Sequence, residues 1–249
     1  QFVKAIASFS APILAARCAL SFGDWKYLFP VFMIIAVLAT ILLGLTSIEE
    51  NDEKDKGSTI GQCLALLGNK MILLSFIGIM CHVGIDVGTN VTAPKILIER
   101  LGITLEDAGY ATSVYFFFRT IGCFVGTFAL AHFSAKKIFT LSVVLMLLGV
   151  SGLFFFDSLM SIYVCIGLIG LGNSNIFPVI FSQAILYIPD RKNEVSGLMI
   201  MGLIGGTIFP LLMGLLSDAI SSQIGALFVI GAGVLYLIFI SSQLKNKVS

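Results

Sequence analysis

Long apolar runs separated by short polar breaks are the dominant feature of this 249-residue sequence. A helix needs about 20 apolar residues to cross the roughly 30 Å hydrocarbon core of a bilayer. In lipid, backbone groups must be satisfied within the protein, which favours helices for such runs. The sequence therefore predicts an all-α integral membrane protein with about eight spans. The runs occupy residues 1–20, 28–46, 70–94, 108–131, 137–156, 159–187, 195–216 and 223–242.

Composition excludes several other classes of protein. Hydrophobic residues make up 57% of the chain and charged residues only 12%, which is more apolar than one soluble core can hide. The net charge is +1 without a long basic run, so no nucleic-acid partner is expected. The five cysteines are scattered without C-x-x-C spacing, which predicts neither a disulfide framework nor a metal site. Nothing in the sequence calls for a cofactor.

One polar break is much longer than the others, and it divides the apolar runs into two and six. A transporter built of two six-helix halves, cut within its fifth helix, would show this division. The segment 58–67 is too short to span and is predicted to form an interfacial helix. The predicted parts are residues 1–46 (the last two helices of an N-terminal half), 47–69 (a connector), 70–242 (a six-helix C-terminal half) and 243–249 (a tail).

Lysine and arginine positions predict the orientation, because cytoplasmic loops carry an excess of both residues. With the connector inside, only Lys26, Lys95 and Arg100 fall outside. We therefore expect a multi-pass protein of the cytoplasmic (inner) membrane, with the connector and C-terminus in the cytoplasm. The inside residues would be Lys54, Lys56, Lys70, Lys136, Lys137, Arg191, Lys192, Lys245 and Lys247.

A stripe of polar residues interrupts the third apolar run. His82, Asp86, Thr89 and Asn90 are three or four residues apart and share one helix face. An acidic group at a helix centre costs roughly 2.5–3.5 kcal/mol, and such groups usually face a bundle interior or a water-filled path. Asp86 is therefore predicted either to carry protons or bind substrate, or to pair with a cation. His82 is either a packing residue or a proton relay.

Arg119, on the next run, cannot shed its charge and must find a partner. Asp86 is the obvious candidate. This arginine is predicted either to act as a gate or substrate anchor or to hold two helices in a fixed ion pair, since a buried pair is weak evidence for either role.

Four strings, in this order, resemble the fucose permease family of sugar:proton symporters within the major facilitator superfamily. They are CHVGIDVGTN (residues 81–90), GCFVGTF (122–128), GLGNSNIFPVIFSQAI (170–185) and SGLMIMGLIGGTIFPLLMGLLSD (196–218). The resemblance implies a partial major facilitator fold and proton-coupled uptake of a sugar or sugar derivative by alternating access. It also implies that this chain alone does not transport, because the family's other proton-titrating carboxylates lie on first-half helices.

Two positions depart from the family pattern. Cys123 replaces an arginine of the family's Gly-Arg-Phe-x-Gly. The residues from Gln1 resemble the family's Gln-x-x-Asn more loosely, and Lys4 stands in the place of that asparagine. An ammonium only donates hydrogen bonds, whereas an amide also accepts them. One hypothesis is therefore that Lys4 and Arg119 hold an anionic sugar acid or another small metabolite. The alternative is that Lys4 pairs with an acidic residue on another helix.

The last two strings supply further candidates for binding and movement. Asn173, Asn175 and Phe177 offer amides and an aromatic face for gripping a polyol, although amides also bond between helices in lipid. Small residues allow helices to approach closely, and prolines bend them, either for alternating access or merely to shape the bundle. The candidates for packing or hinge positions are Gly122, Gly126, Pro178, Gly202, Gly206 and Pro210.

An intramembrane hydrolase that uses His82 and Asp86 is the competing class. It would need a nucleophile or metal set, and no such residue stands at matching spacing. We therefore expect a transporter rather than an enzyme, acting as a monomer, with a sugar-like substrate, protons and the lipid bilayer as its partners.

Overall fold

The computed structural model describes residues 2–47 and 59–243 and is built of helices, with no strand among these residues. It divides into two compact units, one comprising residues 1–9 and 58–249 and the other residues 10–57. The N-terminal helices are α1 (Phe2–Phe22) and α2 (Leu28–Leu45), joined by a 3₁₀ turn at Trp25–Tyr27. Helix α2 is strongly apolar and has no buried residue.

Six further spans follow the connector. Several of these spans contain a break, so that nine helices of the described chain form the six spans. One short helix, α3 (Ile60–Ala65), precedes them. The helices of the spans are α4 (Lys70–Leu101), α5 (Leu105–Ala108), α6 (Tyr110–His132), α7 (Ala135–Phe155), α8 (Leu159–Asn173), α9 (Ile176–Tyr187), α10 (Lys192–Met201), α11 (Gly205–Ile220) and α12 (Ile224–Gln243). Helix α4 contacts α6, α8, α9, α11 and α12, which makes it the central helix of the unit.

Seven helical segments of the described chain are long and apolar enough to cross a membrane, from Leu28–Leu45 to Ile224–Gln243. They confirm seven of the eight predicted spans. The remaining one, residues 1–20, is helical as α1. Several α1 side chains lie outside the described part of the structure, so its assignment as a span stays a prediction.

Polar residues at the breaks start the helices by capping free backbone N–H groups. Thr59 and Gln62 form a reciprocal capping box at the start of α3, and the Asn69 side chain accepts bonds from the first N–H groups of α4. Ser134 and Ser158 do the same for α7 and α8. The predicted short helix within residues 58–67 is thus present, while its interfacial position stays a prediction.

Because proline has no N–H, the carbonyl four residues before it lacks its partner within the helix. At two such carbonyls a side chain of α6 takes the place of that partner. Pro94 has no N–H for the Asn90 carbonyl, which accepts a hydrogen bond from the Thr112 hydroxyl at 3.4 Å. This bond helps the helix to continue to Leu101, so the predicted end of the third span at residue 94 was wrong. Proline alone does not end a helix when a neighbour satisfies the freed carbonyl.

The tenth-helix string breaks between α8 and α9, at Ser174 and Asn175. Pro178 lies in the first turn of α9, where an N–H has no partner within the helix, so proline is tolerated there. The Cys123 thiol lies 3.6 Å from the freed Ser174 carbonyl. The break between the two helices, at Ser174 and Asn175, thus lies three to four residues before Pro178. Pro210 lies inside α11, after a 3₁₀ turn at Gly202–Ile204.

Glycines on α6 face this break in the tenth-helix string. A Cβ at Gly122 would lie 2.9 Å from the Leu171 carbonyl oxygen and 2.8 Å from the Ser174 Cβ, and one at Gly126 would overlap the Asn175 amide. Contacts this close leave no room for any larger side chain on that face of α6. The close approach of α6 and α8 depends on both glycines.

The second pair of candidate glycines faces α4. A Cβ at Gly202 would lie 3.0 Å from Ile79, and one at Gly206 would lie 3.2 and 3.3 Å from Val83 and Val87. The nearest atoms here are side-chain atoms at 3.0 Å or more, so these contacts tolerate change better than those at Gly122.

Gly122→Ala is expected to destabilise the protein by about 1–3 kcal/mol, because the backbone of α8 cannot move away from the added methyl group. Gly214→Ala on α11 is the matched control, since its added methyl meets nothing within 4 Å. Thermal unfolding of the purified protein in detergent measures both. Equal unfolding temperatures for the two variants would contradict the close packing of α6 on α8.

Candidate functional site

A buried ion pair joins α4 to α6. One carboxylate oxygen of Asp86, Oδ1, accepts hydrogen bonds from Arg119 Nη1 and, at 2.7 Å, from the Tyr115 hydroxyl. Asp86 is 9% exposed and Arg119 4% exposed, so little water reaches either charge. The partnership expected between these two residues is present in the structure.

The hydrogen-bond chain continues from α6 to α8 and back to α4. The Tyr115 hydroxyl accepts from Asn173 Nδ2 at 2.9 Å, and Asn173 Oδ1 lies 2.8 Å from His82 Nδ1. Because an amide oxygen only accepts, the bond requires the proton on His82 Nδ1.

We call the five residues Arg119, Asp86, Tyr115, Asn173 and His82 the relay. Every member is buried, and Tyr115 and Asn173 have no exposed surface. The relay connects three helices through four consecutive contacts. A buried pair is strongly destabilising when only one partner is removed, since the other charge stays behind without compensation. Removing the charge of Asp86 therefore destabilises the contact between α4 and α6.

Tyr115 is the relay member that the sequence reasoning missed as a functional residue. Its position four residues before Arg119 placed it on the same helix face, and that spacing was the available signal. A buried tyrosine usually needs a partner for its hydroxyl, and here it has one on each side.

Other candidates lie outside the relay. The Asn90 amide folds back and donates to the Asp86 backbone carbonyl at 2.7 Å, while its buried Oδ1 has no hydrogen-bond partner in the described chain. The Asn175 amide donates to the Gly122 carbonyl at 3.0 Å and so holds the break between α8 and α9. Gln1 and the Lys4 side chain lie outside the described residues.

Phe177 lies beside the relay. Its ring centre is 6.0 Å from that of His82, and it stacks on Phe181 at 5.4 Å. An aromatic face next to a histidine and an amide combines apolar contact with hydrogen bonding, as in pockets that bind sugars or other small polar ligands. In the described part of the chain no cluster of three or more histidine, cysteine or acidic residues could hold a metal ion.

The C-terminal end of α4 is fixed to two loops. The Glu99 carboxylate accepts bonds from the Ser222 hydroxyl at 2.6 Å and the Gln223 N–H at 2.8 Å. Arg100 donates to the Phe156 carbonyl at 3.0 Å and lies 3.3 Å from Asp157. These contacts anchor the helix that carries His82 and Asp86.

Comparison with known families gives one match that covers most of the chain. Residues 75–245 match the profile of the Major Facilitator Superfamily. This region includes all five relay residues.

Curated relatives point in the same direction. The glucose/galactose transporter of Brucella abortus biovar 1 (strain 9-941) is 28% identical over 167 residues, which cover 64% of this chain and 39% of that protein. A putative glucose/galactose transporter of Helicobacter pylori (strain J99) is 20% identical over 192 residues, covering 77% of this chain and 46% of that protein. The chain thus spans less than half the length of these two relatives.

Solved structures share the fold. The major facilitator transporter FucP, crystallised in the outward conformation, superposes with a TM-score of 0.70 at 20% identity over 90% of this chain and 55% of FucP. A variant of FucP, the E. coli fucose:proton symporter, gives a TM-score of 0.69 at 21% identity over 86% of this chain and 54% of FucP. At this identity the likeness establishes the fold alone.

Proposed function

This chain belongs to the major facilitator superfamily, and we propose that the whole protein takes up a sugar together with protons by alternating access. The observation that carries the proposal is the relay: a buried carboxylate held between an arginine and a tyrosine, and linked through Asn173 to a histidine. Ionisable groups inside a membrane protein commonly mark ion or proton paths. The names of the relatives in Brucella and Helicobacter support a hexose as the substrate.

The proposed coupling follows from the ion pair. When a proton neutralises Asp86, Arg119 loses its counter-charge in a site that little water reaches. A buried cation without a partner is costly, so α6 must shift relative to α4 until Arg119 finds water or another acceptor. Proton binding thereby becomes helix movement, which is what a symporter requires.

Phe177, beside the relay, and His82, a member of it, are proposed to contact the sugar. Phe177 offers an apolar face to a sugar ring, and the imidazole ring of His82 lies 6.0 Å from it, centre to centre, so that one ligand could contact both rings. The Asn173 amide already bonds to His82 and Tyr115, so its proposed role is to hold them in place. The proposed orientation has the connector and C-terminus in the cytoplasm, as the distribution of lysine and arginine suggests.

A neutral sugar is favoured over a sugar acid because Arg119 is bound to Asp86. Its charge is neutralised within the bundle and is not available to an anionic substrate. An anion would have to displace Asp86 or use the Lys4 ammonium alone.

Proton-coupled uptake of a neutral sugar is testable with the full-length protein in weakly buffered vesicles. Adding glucose or galactose is expected to raise the external pH as protons enter, whereas the matching sugar acid, glucuronate, is expected to give no signal. Vesicles without the protein are the control. A signal with glucuronate that Lys4→Asn removes would favour the sugar-acid hypothesis. Radiolabelled hexose uptake without any pH change would reject symport but keep transport.

A further inference from the structure

A cavity lies away from the relay, at the end of the six-span unit where α4 begins. It has a volume of about 280 Å³ and lies between α4, α9 and α12. Its α4 wall includes Ser75, which precedes His82 by seven residues, or about 10 Å along the helix. The cavity is therefore a separate site from the aromatic face beside the relay. Its mouth carries the exposed residues Tyr187 and Gln243.

The walls are mostly apolar. Ile72, Ile180, Ala184 and Ile240 line the cavity and are each buried. Among the described residues, no charged side chain lines it. Moving a charge into such surroundings without a partner is costly, so a ligand of this cavity must be uncharged.

Two polar groups mark one side of the cavity. The Gln183 side chain makes no hydrogen bond within the described part of the chain, although it lines the cavity and is half-buried. The Ser75 hydroxyl donates to the Met71 carbonyl at 2.9 Å, which leaves its oxygen free to accept. Together they offer an amide and an acceptor to a ligand that carries one hydroxyl group.

We propose that this cavity binds a small uncharged amphipath, with a hydroxyl end at Gln183 and Ser75 and an alkyl body among the isoleucines. The volume lies just below the roughly 300–1,000 Å³ of pockets for drug-sized ligands, so the ligand is smaller than these. Few polar groups in an apolar cavity are the usual composition of a ligand site. Because α4 and α9 form its walls, an occupant would oppose any closing of these two helices toward each other.

Photolabelling with the diazirine derivative of octanol tests the proposal on the purified full-length protein in lipid nanodiscs. Mass spectrometry is expected to find adducts on the cavity residues of α4, α9 and α12, and excess octanol is expected to suppress them. Labelling requires no transport, so its outcome is independent of whether the protein moves sugar. Adducts confined to lipid-facing positions, or insensitive to octanol, would overturn the proposal.

Two variants sharpen the experiment. Ala184→Phe fills the cavity and is expected to reduce labelling at least threefold. The control Leu186→Phe lies on the same helix, is 52% exposed and does not line the cavity, so labelling should be unchanged. Equal labelling of both variants would overturn the proposal.

A third variant keeps the test valid if Ala184→Phe fails to fold. Gln183→Leu removes the amide and keeps the volume, so it should reduce labelling by the alcohol and not by the corresponding diazirine alkane. Equal loss of labelling by the alcohol and the alkane would contradict the proposed contact between the ligand hydroxyl and Gln183. Repeating the labelling after lipid removal identifies the natural source of the amphipath. Labelling in both samples assigns the cavity to a free small molecule, whereas labelling only in the lipid-free sample would assign it to a lipid chain and overturn the proposal.

Discussion

Asp86→Asn is expected to abolish sugar-driven proton uptake by the full-length protein, because in the proposed symport the amide cannot bind and release a proton. It also leaves Arg119 buried at 4% exposure without its counter-charge. Breaking a buried pair from one side costs about 3–5 kcal/mol. The single variant is therefore expected to lose both coupling and a large part of its stability, and a loss of transport alone could not separate the two effects.

The double variant Asp86→Asn/Arg119→Gln separates them. With both charges removed no buried ion remains alone, so thermal stability in detergent should recover most of the loss. Sugar exchange between the two sides of a vesicle needs no net proton movement and should persist in this variant. Sugar-driven alkalinisation should stay absent.

Two outcomes would contradict these roles. Wild-type alkalinisation by the double variant would mean that Asp86 does not take part in coupling. Failure of the double variant to recover any stability would mean that the ion pair is not the source of the cost. If stability recovers and proton movement also persists, Asp86 and Arg119 form a fixed structural pair.

The scarcity of charge is what made the ion pair predictable from sequence. In lipid, a carboxylate and a guanidinium at the middle of neighbouring spans have few alternatives to each other. Asp86 and Arg119 lie 33 residues apart in the sequence. Their contact could still be predicted, because burying either charge without a partner costs free energy and few other partners exist.

The amide contacts could not be predicted in the same way. Asn173 bonds to His82 across 91 residues, and nothing in either helix specifies that partner. Amides bond equally well to backbone carbonyls, as Asn175 and Asn90 do here. Periodicity indicates which residues share a helix face, but the partner depends on how the helices pack. That packing is set by small residues such as Gly122, whose spacing is common in membrane helices.

Helix ends show the same limit. The runs of apolar residues predicted the spans closely, yet the third continues seven residues past the predicted end because Thr112, on another helix, satisfies the Asn90 carbonyl. The break at Ser174 and Asn175 interrupts a run that is apolar on both sides. In both places a proline frees a backbone carbonyl, and a side chain from another helix lies against that carbonyl.

Asn173→Leu is expected to cause the second large effect. It removes the partner of His82 Nδ1 and the donor to the Tyr115 hydroxyl. Each buried group that loses its hydrogen bond costs about 1–3 kcal/mol. Thermal unfolding in detergent should show a clear fall in midpoint, and hexose uptake should slow because the histidine and tyrosine are no longer held in place. Tyr110→Phe, on the exposed start of α6, is the matched control and should leave both measurements unchanged.

A double-mutant cycle with Tyr115→Phe decides whether the relay acts as a unit. Tyr115→Phe alone leaves the buried Asn173 amide without one acceptor and Asp86 without one donor. With leucine and phenylalanine together, the amide and the hydroxyl that faced each other are both gone and two apolar side chains meet instead. The double variant should therefore lose less stability than the sum of the single variants, by about 0.5–3 kcal/mol. Additive losses would show that Tyr115 and Asn173 act separately, and the path from His82 to Asp86 would then not be continuous.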